Sequence, residues 1–514
     1  MSRPSSPHEG VIYQIYPRSF ADSDGDGIGD LLGLRERLGY LVELGVDSLW
    51  LNPISPSGGV DGGYDVTDYT EVDAAYGGLD ALDRLLAEAH RAGLRVLLDF
   101  VPNHTSDRHP WFVEARSSRE SPKRSWYVFA DGPRGSPPNN WLSGFGGSAW
   151  VPDRESGQLY LAGFYPEQPE LNWDTPEVRT AVIEAMRFWV NRGVDGFRID
   201  VVHRLSKDPL LRDNPVASAA QPRHDPEGSV QRFDENGPWI HDYVREIREG
   251  VGGESLLLGE VWMLELQEVA RFLGPGELDL TFNFPFALAP WDPEAMAAAV
   301  DEAARLFVGP GAPAYHLSNH DVSRHATRYG DRAIRPAAVL LLTLPGTPVL
   351  YYGEEVGMTD GEVPTHQRYD RFGRDPCRTP MQWDPSGNAG FCPPGVDPWL
   401  PVAGGFERRT VAVQRDDPDS VLSLYRRLID LRKRSPALRT GRYRRVDAPA
   451  GCLAYVRERG ERFLVAVNFT SSELAVSGAT GSVAAATSLR REGLPVERGV
   501  VLNGDEALVI RLLA

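Results

Sequence analysis

Alternating short apolar runs and amphipathic helical patterns are the feature that most narrows the folds open to this chain. After the first apolar run, residues 31–44 carry leucines at helical spacing. Farther along the chain, Leu79, Leu82 and Leu86 share one face of another helical pattern, which ends at Gly93. Such alternation is typical of parallel βα units. Eight apolar runs precede a helical pattern at 420–434, so the sequence predicts an α/β fold, a (β/α)₈ TIM barrel. The runs are VIYQIY (11–16), DSLWL (47–51), LRVLLDFV (94–101), DGFRID (195–200), SLLLGEV (255–261), LDLTFNF (278–284), PAYHLSNH (313–320) and TPVLYYGEE (347–355).

Two stretches depart from this alternation. Residues 105–173 are rich in Gly, Pro, Ser, Trp and Tyr and carry no long helical pattern, so we expect an inserted subdomain after strand 3 that buries its aromatic side chains. Toward the C-terminus, RFLVAVNFT and EALVIRLL alternate like short antiparallel strands. The predicted domains are a barrel at 1–104 and 174–436, an inserted subdomain at 105–173 and a C-terminal antiparallel β-domain at 437–514.

Composition and charge argue against several classes of protein. The net charge of -18 disfavours nucleic acid, whose binding proteins carry a basic face, and is compatible with a small neutral substrate such as a sugar. No apolar stretch is long enough to span a bilayer. The start, MSRPSSPHEG, lacks the basic and apolar regions of a secretory signal, so we expect a cytoplasmic protein. The oligomeric state is not readable from the sequence.

The cysteines are few and odd in number. The chain has only Cys377, Cys392 and Cys452, which fits a reducing compartment and no disulfide framework. Cys377 and Cys392 could pair if they were close in the fold, but the sequence favours free thiols.

Acidic residues follow several of the predicted strands. Asp200, Glu260 and Asp321 each come at the end of one, and the active site of a barrel collects at the C-terminal ends of its strands. A pair of carboxylates on that rim points to glycoside hydrolysis, because the oxocarbenium-like transition state needs a negative charge and a proton donor. Arg198 shares a strand face with Asp200 and would help keep it ionised. Taken singly, each acid could equally be a cap, and Arg198 with Asp200 a structural ion pair.

The chain resembles the α-amylase family of glycoside hydrolases (family 13), and within it the α-glucosidase and oligo-1,6-glucosidase branch. The resemblance runs from IYQIYPRSF to the C-terminal β-domain, and its segments occur in order. They are GYDVTDY (63–69), DFVPNHTS (99–106), QPELNW (168–173), GFRIDVV (196–202), GEVW (259–262), SNHD (318–321) and RTPMQWD (378–384).

The resemblance implies a retaining, exo-acting α-glucosidase and a role for each matched residue. Asp200 matches the nucleophile, Glu260 the general acid and base, and Asp321 the third carboxylate, which stabilises the transition state without a covalent bond. The groups matching those that hold the terminal glucose are Asp65, His104, Arg198, His320 and Arg378, with Tyr64 and Phe164 as apolar walls. Phe164 could instead be simple core packing. The inserted subdomain would form one wall of a pocket closed at its far end.

An acidic loop near the N-terminus suggests a structural Ca²⁺ site. DSDGDGIGD (22–30) places Asp22, Asp24 and Asp26 at alternate positions before Gly27, which supplies hard oxygen ligands and a sharp turn. The bidentate glutamate of an EF-hand is missing. The resemblance implies that Asp30 and the carbonyl of Ile28 complete the ligand set. The alternative is a solvated acidic turn, and no cofactor is expected for the chemistry itself.

The preferred linkage stays open. In the resembling branch the residue after the nucleophile helps to choose the linkage, and Val201 there accompanies α-1,6 cleavage. QPELN carries Glu170 where Asp is more usual, and His203 replaces the usual polar residue, so maltose, isomaltose and sucrose are all possible substrates. A transglucosylase or isomerase, such as a trehalose synthase or sucrose isomerase, would use the same acids. A non-catalytic transporter subunit would instead show a membrane helix and eroded acids.

Overall fold

A computed structural model describes residues 9–132, 136–215 and 233–513. Most of the segment on which the expectation about a secretory signal rests, residues 1–8, lies outside that part. In chain order the described strands are β1 (Ile12–Ile15), β2 (Ser48–Leu51), β3 (Arg95–Phe100), β4 (Phe129–Ala130), β5 (Trp150–Pro152), β6 (Leu159–Leu161), β7 (Gly196–Ile199), β8 (Leu256–Gly259), β9 (Leu280–Phe282), β10 (Ala312–Tyr315), β11 (Thr347–Tyr351), β12 (Arg442–Val446), β13 (Cys452–Glu458), β14 (Arg462–Asn468), β15 (Leu474–Ser477), β16 (Gly481–Ala486), β17 (Pro495–Val496), β18 (Gly499–Leu502) and β19 (Ala507–Leu512).

The α-helices alternate with the strands through the first four-fifths of the chain. They are α1 (Leu31–Glu36), α2 (Leu38–Leu44), α3 (Gly78–Arg91), α4 (Pro110–Arg116), α5 (Pro176–Arg192), α6 (Ile240–Val251), α7 (Leu266–Arg271), α8 (Phe284–Leu288), α9 (Pro293–Leu306), α10 (His325–Tyr329), α11 (Ile334–Thr343), α12 (Val411–Gln414), α13 (Val421–Arg434) and α14 (Pro436–Thr440). None of the described helices has the length and apolarity needed to cross a membrane.

Eight of the strands form a closed barrel in the order β1-β11-β10-β9-β8-β7-β3-β2, and a C-terminal antiparallel sheet follows. The strand pairs in the barrel are parallel, for example β3 with β7 and β7 with β8. These are the eight runs from which the barrel was predicted, so the predicted fold class is confirmed.

Several elements differ from the sequence prediction at their ends. The helix predicted over 31–44 is divided at Arg37, whose ψ of 2° leaves the helical region. The run at 278–284 keeps only three strand residues, because Asn283 caps α8 by accepting a hydrogen bond from the amide of Phe286. β10 stops at Tyr315, which leaves Asn319, His320 and Asp321 in the loop beyond the strand.

The predicted inserted subdomain contains a small sheet of its own. β4, β6 and β5 pair antiparallel in that order. Trp141 and Trp150 are buried in a cluster with Leu159 and Leu161. Trp141 and Trp150 thus have the burial that the sequence predicts, whereas Trp111 and Trp126 are only partly buried, and the exact domain boundaries stay a prediction.

The C-terminal strands form an antiparallel sheet of order β12-β13-β14-β19-β16-β17, with a second, two-stranded sheet of β15 and β18. Ala466, Leu508 and Ile510 are fully buried in its core. The chain as a whole divides into two compact units, which we describe separately. The first unit comprises residues 1–50, 84–96 and 282–514, and the second comprises 51–83 and 97–281.

Candidate active site

The second unit gathers three carboxylates around one buried guanidinium. Nη1 of Arg198 lies 2.8 Å from Oδ1 of Asp99 and 2.7 Å from Oδ1 of Asp200, and Nη2 lies 2.7 Å from Oε1 of Glu260. The strand registers explain the arrangement, because Asp99 on β3 is paired with Arg198 on β7, and β8 ends beside β7 just before Glu260. The first two predicted catalytic residues are therefore held on adjacent nitrogens of one side chain.

The charges in this cluster do not balance. One cation faces Asp99, Asp200 and Glu260, so two negative charges would stay uncompensated if all three were ionised. Burial raises the pKa of Asp200 well above its ordinary value, and Arg198 lowers it by less than burial raises it. Burial likewise raises the pKa of Asp99 to about 6. The expected effect of Arg198 on Asp200 is therefore present, but it does not outweigh burial.

Val201 fixes the acid predicted to donate the proton. Its φ of 33° and ψ of 45° are left-handed, a conformation that a β-branched residue rarely adopts and that costs about 1–3 kcal/mol. In this conformation the amide of Val201 donates a 3.0 Å hydrogen bond to Oε2 of Glu260. An added Cβ at Gly259, the residue before Glu260, would lie 2.3 Å from Cδ1 of Leu278, so a larger residue there requires the leucine side chain to shift. The strained backbone therefore orients the Glu260 carboxylate.

Tyr64 and Asp65, predicted to bind glucose, also belong to the second unit. The hydroxyl of Tyr64 donates a 2.8 Å hydrogen bond to Oδ2 of Asp99, so this side chain is tied to the carboxylate cluster rather than presenting only an apolar wall. The buried Asp65 carboxylate accepts hydrogen bonds from the amides of Val60 and Asp61, and its burial raises its pKa to about 6.

His104 and Phe164 lie against each other, with ring centroids 5.1 Å apart. Nε2 of Gln168 lies 3.1 Å from Nε2 of His104 and donates a hydrogen bond to Asp61. Burial lowers the pKa of His104 to about 4, so its imidazole is neutral at physiological pH. A neutral imidazole can either donate to or accept from a sugar hydroxyl.

Asp321 is held by three cationic or potentially cationic side chains of the first unit. Its Oδ1 lies 2.9 Å from Nη1 of Arg374 and 3.1 Å from Nη2 of Arg378, and its Oδ2 lies 3.0 Å from Nε2 of His320. Burial acts to raise the pKa of Asp321, but the cations outweigh it and hold the pKa well below its ordinary value. Asp321 is therefore an anion throughout the working range of an enzyme, and beside it lie His320 and Arg378, which the resemblance matches to glucose-binding groups.

Sequence reasoning did not assign a role to Asp99 or Arg374. Asp99 stood out only as a strand-end acid, and its pairing with Arg198 depends on the β3–β7 register. Arg374 lies in the loop 364–376. The sequence of this loop shows no helical or strand pattern from which the position of Arg374 could be predicted. Its one local signal is Asp370 four residues earlier, with which it forms a bidentate ion pair.

A second polar network extends from the residues where this chain departs from the family pattern. Nε2 of His203 lies 3.6 Å from Oε2 of Glu235, and its Nδ1 lies 3.4 Å from the carbonyl oxygen of Glu260. Burial raises the pKa of Glu235 to about 8. Glu170 is bound by Nζ of Lys207 at 2.6 Å, so its longer side chain is paired with a cation.

The acidic loop brings together part of the predicted metal site. Carboxylate oxygens of Asp22, Asp24 and Asp30 lie within 4.8 Å of one another. The carboxylate of Asp26, whose Oδ1 accepts a 2.7 Å hydrogen bond from the amide of Ile28, is not part of this group of three. Desolvation and the neighbouring acids raise the pKa of Asp24, which a divalent cation would reverse.

The three cysteines are buried free thiols, as the sequence favoured. Cys377 lies beside the Asp321 cluster, where burial raises the pKa of its thiol to about 12. It is therefore not a nucleophile at neutral pH.

Comparisons with known proteins agree with this geometry. Residues 14–441 match the family described as alpha amylase, catalytic domain. The chain therefore belongs to the α-amylase family, and it is a glycoside hydrolase of that family.

The relatives narrow the class further. The oligo-1,6-glucosidase of Parageobacillus thermoglucosidasius is 36% identical, with 90% of each chain covered. A probable alpha-glucosidase of Rhizobium meliloti (strain 1021) is 40% identical, covering 90% of this chain and 89% of its own. The crystal structure of the alpha-glucosyl transfer enzyme XgtA superposes with a TM-score of 0.92 at 36% identity, over 98% of this chain and 99% of its own.

Proposed function

We propose that this protein is a retaining, exo-acting α-glucosidase that releases terminal α-linked glucose from short α-glucosides of the maltose, isomaltose or sucrose type. The observation that carries the proposal is the Arg198 guanidinium, which binds Asp200 and Glu260 on adjacent nitrogens at 2.7 Å each. Two carboxylates held together in this way suit the nucleophile and the proton donor of one anomeric carbon.

In the first step the Asp200 carboxylate attacks the anomeric carbon, and the bond from that carbon to the leaving oxygen breaks. Glu260 gives its proton to that oxygen, so the leaving sugar departs as an alcohol. In the second step Glu260 takes a proton from water, the resulting oxygen bonds to the anomeric carbon, and Asp200 is released as a carboxylate. Asp200 must be ionised for the first step, and Arg198 lowers its pKa toward that state against the burial that raises it.

Asp321 has the properties of the third carboxylate. It follows barrel strand β10, as Asp200 follows β7 and Glu260 follows β8. Because its cations keep it ionised, it can accept hydrogen bonds from sugar hydroxyls and stabilise the positive charge that develops on the glucose ring. His104, Asp65 and Tyr64 supply further polar contacts of the kind that fixes one sugar.

We also propose that the acidic loop holds a structural Ca²⁺. The donor set fits, since Asp22, Asp24 and Asp30 offer three carboxylate oxygens within 4.8 Å of one another. Asp26 and the carbonyl oxygen of Ile28 remain proposed ligands beside these three. When bound, Ca²⁺ would neutralise these charges and stabilise the turn, and it takes no part in the chemistry.

Substitution of the nucleophile tests the reaction directly. Asp200→Asn should lower glucose release from a chromogenic α-glucoside by about 10⁴-fold or more while the circular dichroism spectrum is unchanged. Glu260→Gln should lose activity on disaccharides, yet keep a larger share on a substrate whose leaving group needs no proton. Polarimetry of the first product should show α-glucose. A wild-type enzyme as inactive as Asp200→Asn, or a β-configured product, contradicts the proposal.

The alternative is a transglucosylase or isomerase with the same covalent step. The similarity to the alpha-glucosyl transfer enzyme XgtA supports this alternative. Product analysis after incubation with maltose or sucrose separates the two, because free glucose indicates hydrolysis and rearranged or longer sugars indicate transfer.

A further inference from the structure

The loop 364–376 of the first unit exposes two large aromatic side chains. Tyr369 is 58% exposed and Phe372 is 56% exposed, although exposing large aromatic surface to water is costly. We refer to these two side chains as the aromatic platform.

The loop that bears the platform is rigidly built. Oδ2 of Asp375 accepts hydrogen bonds from the amides of Tyr369 and Asp370 at 2.7 and 3.0 Å. Oδ2 of Asp370 accepts one from the amide of Arg374 at 2.6 Å. Both carboxylates are buried, so buried hydrogen-bond acceptors hold the backbone that carries the two rings.

The platform is tied to the third carboxylate through Arg374. The guanidinium carbon of Arg374 lies 5.9 Å from the ring centroid of Phe372, and its Nη1 lies 2.9 Å from Oδ1 of Asp321. These two separations, with the short C–N bond between them, place the Phe372 ring within about 10 Å of the Asp321 carboxylate. That distance is one to two sugar rings.

Tyr369 also packs against residues outside the loop 364–376. Its ring lies 5.3 Å from that of Trp399, and the guanidinium of Arg18 lies 5.5 Å from its centroid. Trp399 in turn stacks on Tyr16, whose ring faces Arg378, the second arginine on Asp321. A continuous set of packed rings and guanidinium groups therefore joins both members of the platform to the same carboxylate.

We propose that Phe372 and Tyr369 bind the leaving-group sugar of the substrate and so determine preference among α-glucosides. The inference rests on the proposed function, in which Asp321 binds the terminal glucose. The sugar attached to that glucose must lie next to Asp321, and the apolar C–H faces of sugar rings pack on exposed aromatic rings. Arg374, the cation beside Phe372, is already paired with Asp370 and Asp321, which leaves the surface suited to a neutral sugar.

The test compares substrates with and without a leaving-group sugar. For Phe372→Ala and Tyr369→Ala, kcat/KM on isomaltose, maltose and isomaltotriose should fall about three- to tenfold each. On α-glucosyl fluoride, whose leaving group is a single atom, both variants should match the wild type. Phe372→Tyr should restore most of the lost kcat/KM, since an aromatic face is kept. The matched control is Leu494→Ala, an exposed apolar side chain of the C-terminal region, which should change neither class of substrate.

The outcomes distinguish a failure of the inference about the aromatic platform from a failure of the proposed function. Equal losses on the fluoride and on the disaccharides would mean that the loop acts through the catalytic groups, and unchanged kcat/KM on all substrates would mean that the rings touch no sugar. Either result overturns the inference. A wild-type enzyme inactive even on α-glucosyl fluoride would overturn the proposed function, and the platform with it.

Discussion

The buried carboxyl group of Glu354 offers a test of how burial in this fold makes stability depend on pH. Its side chain is fully buried in the first unit, where Oε1 accepts a 3.2 Å hydrogen bond from the hydroxyl of Tyr425 and Oε2 lies 3.7 Å from Nδ1 of His325. Burial raises its pKa to about 8, with a further increase from the charge of Glu355, and burial also keeps His325 neutral by lowering its pKa to about 3. Glu354 therefore stays protonated in the folded protein at pH 7.

The sign of the pH dependence follows from the raised pKa. In the unfolded chain the carboxyl titrates near 4.5, so between about pH 4.5 and 8 only the folded state holds the proton. The stabilisation is complete below the unfolded pKa and is lost as pH rises through the folded one. From pH 5.5 to pH 8 the loss is about 3 kcal/mol. For a chain of 514 residues, with an unfolding entropy of about 1 kcal/mol/K, this corresponds to about 3 °C in Tm.

Glu354→Gln removes the titration and keeps the shape and the acceptor for Tyr425. The difference in Tm between variant and wild type should therefore rise by about 3 °C from pH 5.5 to pH 8, measured by scanning calorimetry at a fixed scan rate. All other titrating groups cancel in this difference. Glu473→Gln, at an exposed position, is the matched control and should give a difference that does not vary with pH. A Glu354→Gln difference constant to within 1 °C would refute the reasoning.

Three further predictions concern the candidate site and the acidic loop. Chelator should lower the Tm of the wild type and added Ca²⁺ should restore it, whereas the double variant Asp22→Asn, Asp24→Asn should not respond; an unresponsive wild type contradicts the metal site. Val201→Thr should shift the ratio of kcat/KM for isomaltose over maltose by about three- to tenfold toward maltose, and an unchanged ratio excludes this residue from linkage choice. Arg374→Ala removes a cation from Asp321 and so raises its pKa, which should move the acidic limb of the kcat/KM profile to higher pH, while Arg374→Lys should largely preserve it; coincident profiles would argue against the ion pair.

Much of the fold and of the candidate site follows from local patterns. The eight apolar runs predict the barrel because burial on both faces forces a strand of a parallel sheet to be apolar along its length. Asp200, Glu260 and Asp321 could be singled out because each lies near the end of such a run or directly after it. The acidic loop could also be identified from a local pattern, since its acids are close in the chain.

Some features of the structure follow no periodic pattern in the sequence. The division of the helix at Arg37 follows from a single backbone angle that no periodicity reveals. The position of Arg374 depends on how the loop 364–376 folds around Asp370 and Asp375.

The sequence by itself determined the order of strands and helices, the barrel they form and which acids stand at the strand ends, because these depend on patterns within a few residues. Only the tertiary structure decided how those acids are charged. Strand register places Asp99 and Arg198 side by side, and burial then raises the pKa of Asp200 more than the guanidinium lowers it. The desolvation of a carboxyl group depends on all the residues packed around it, whatever their positions in the chain.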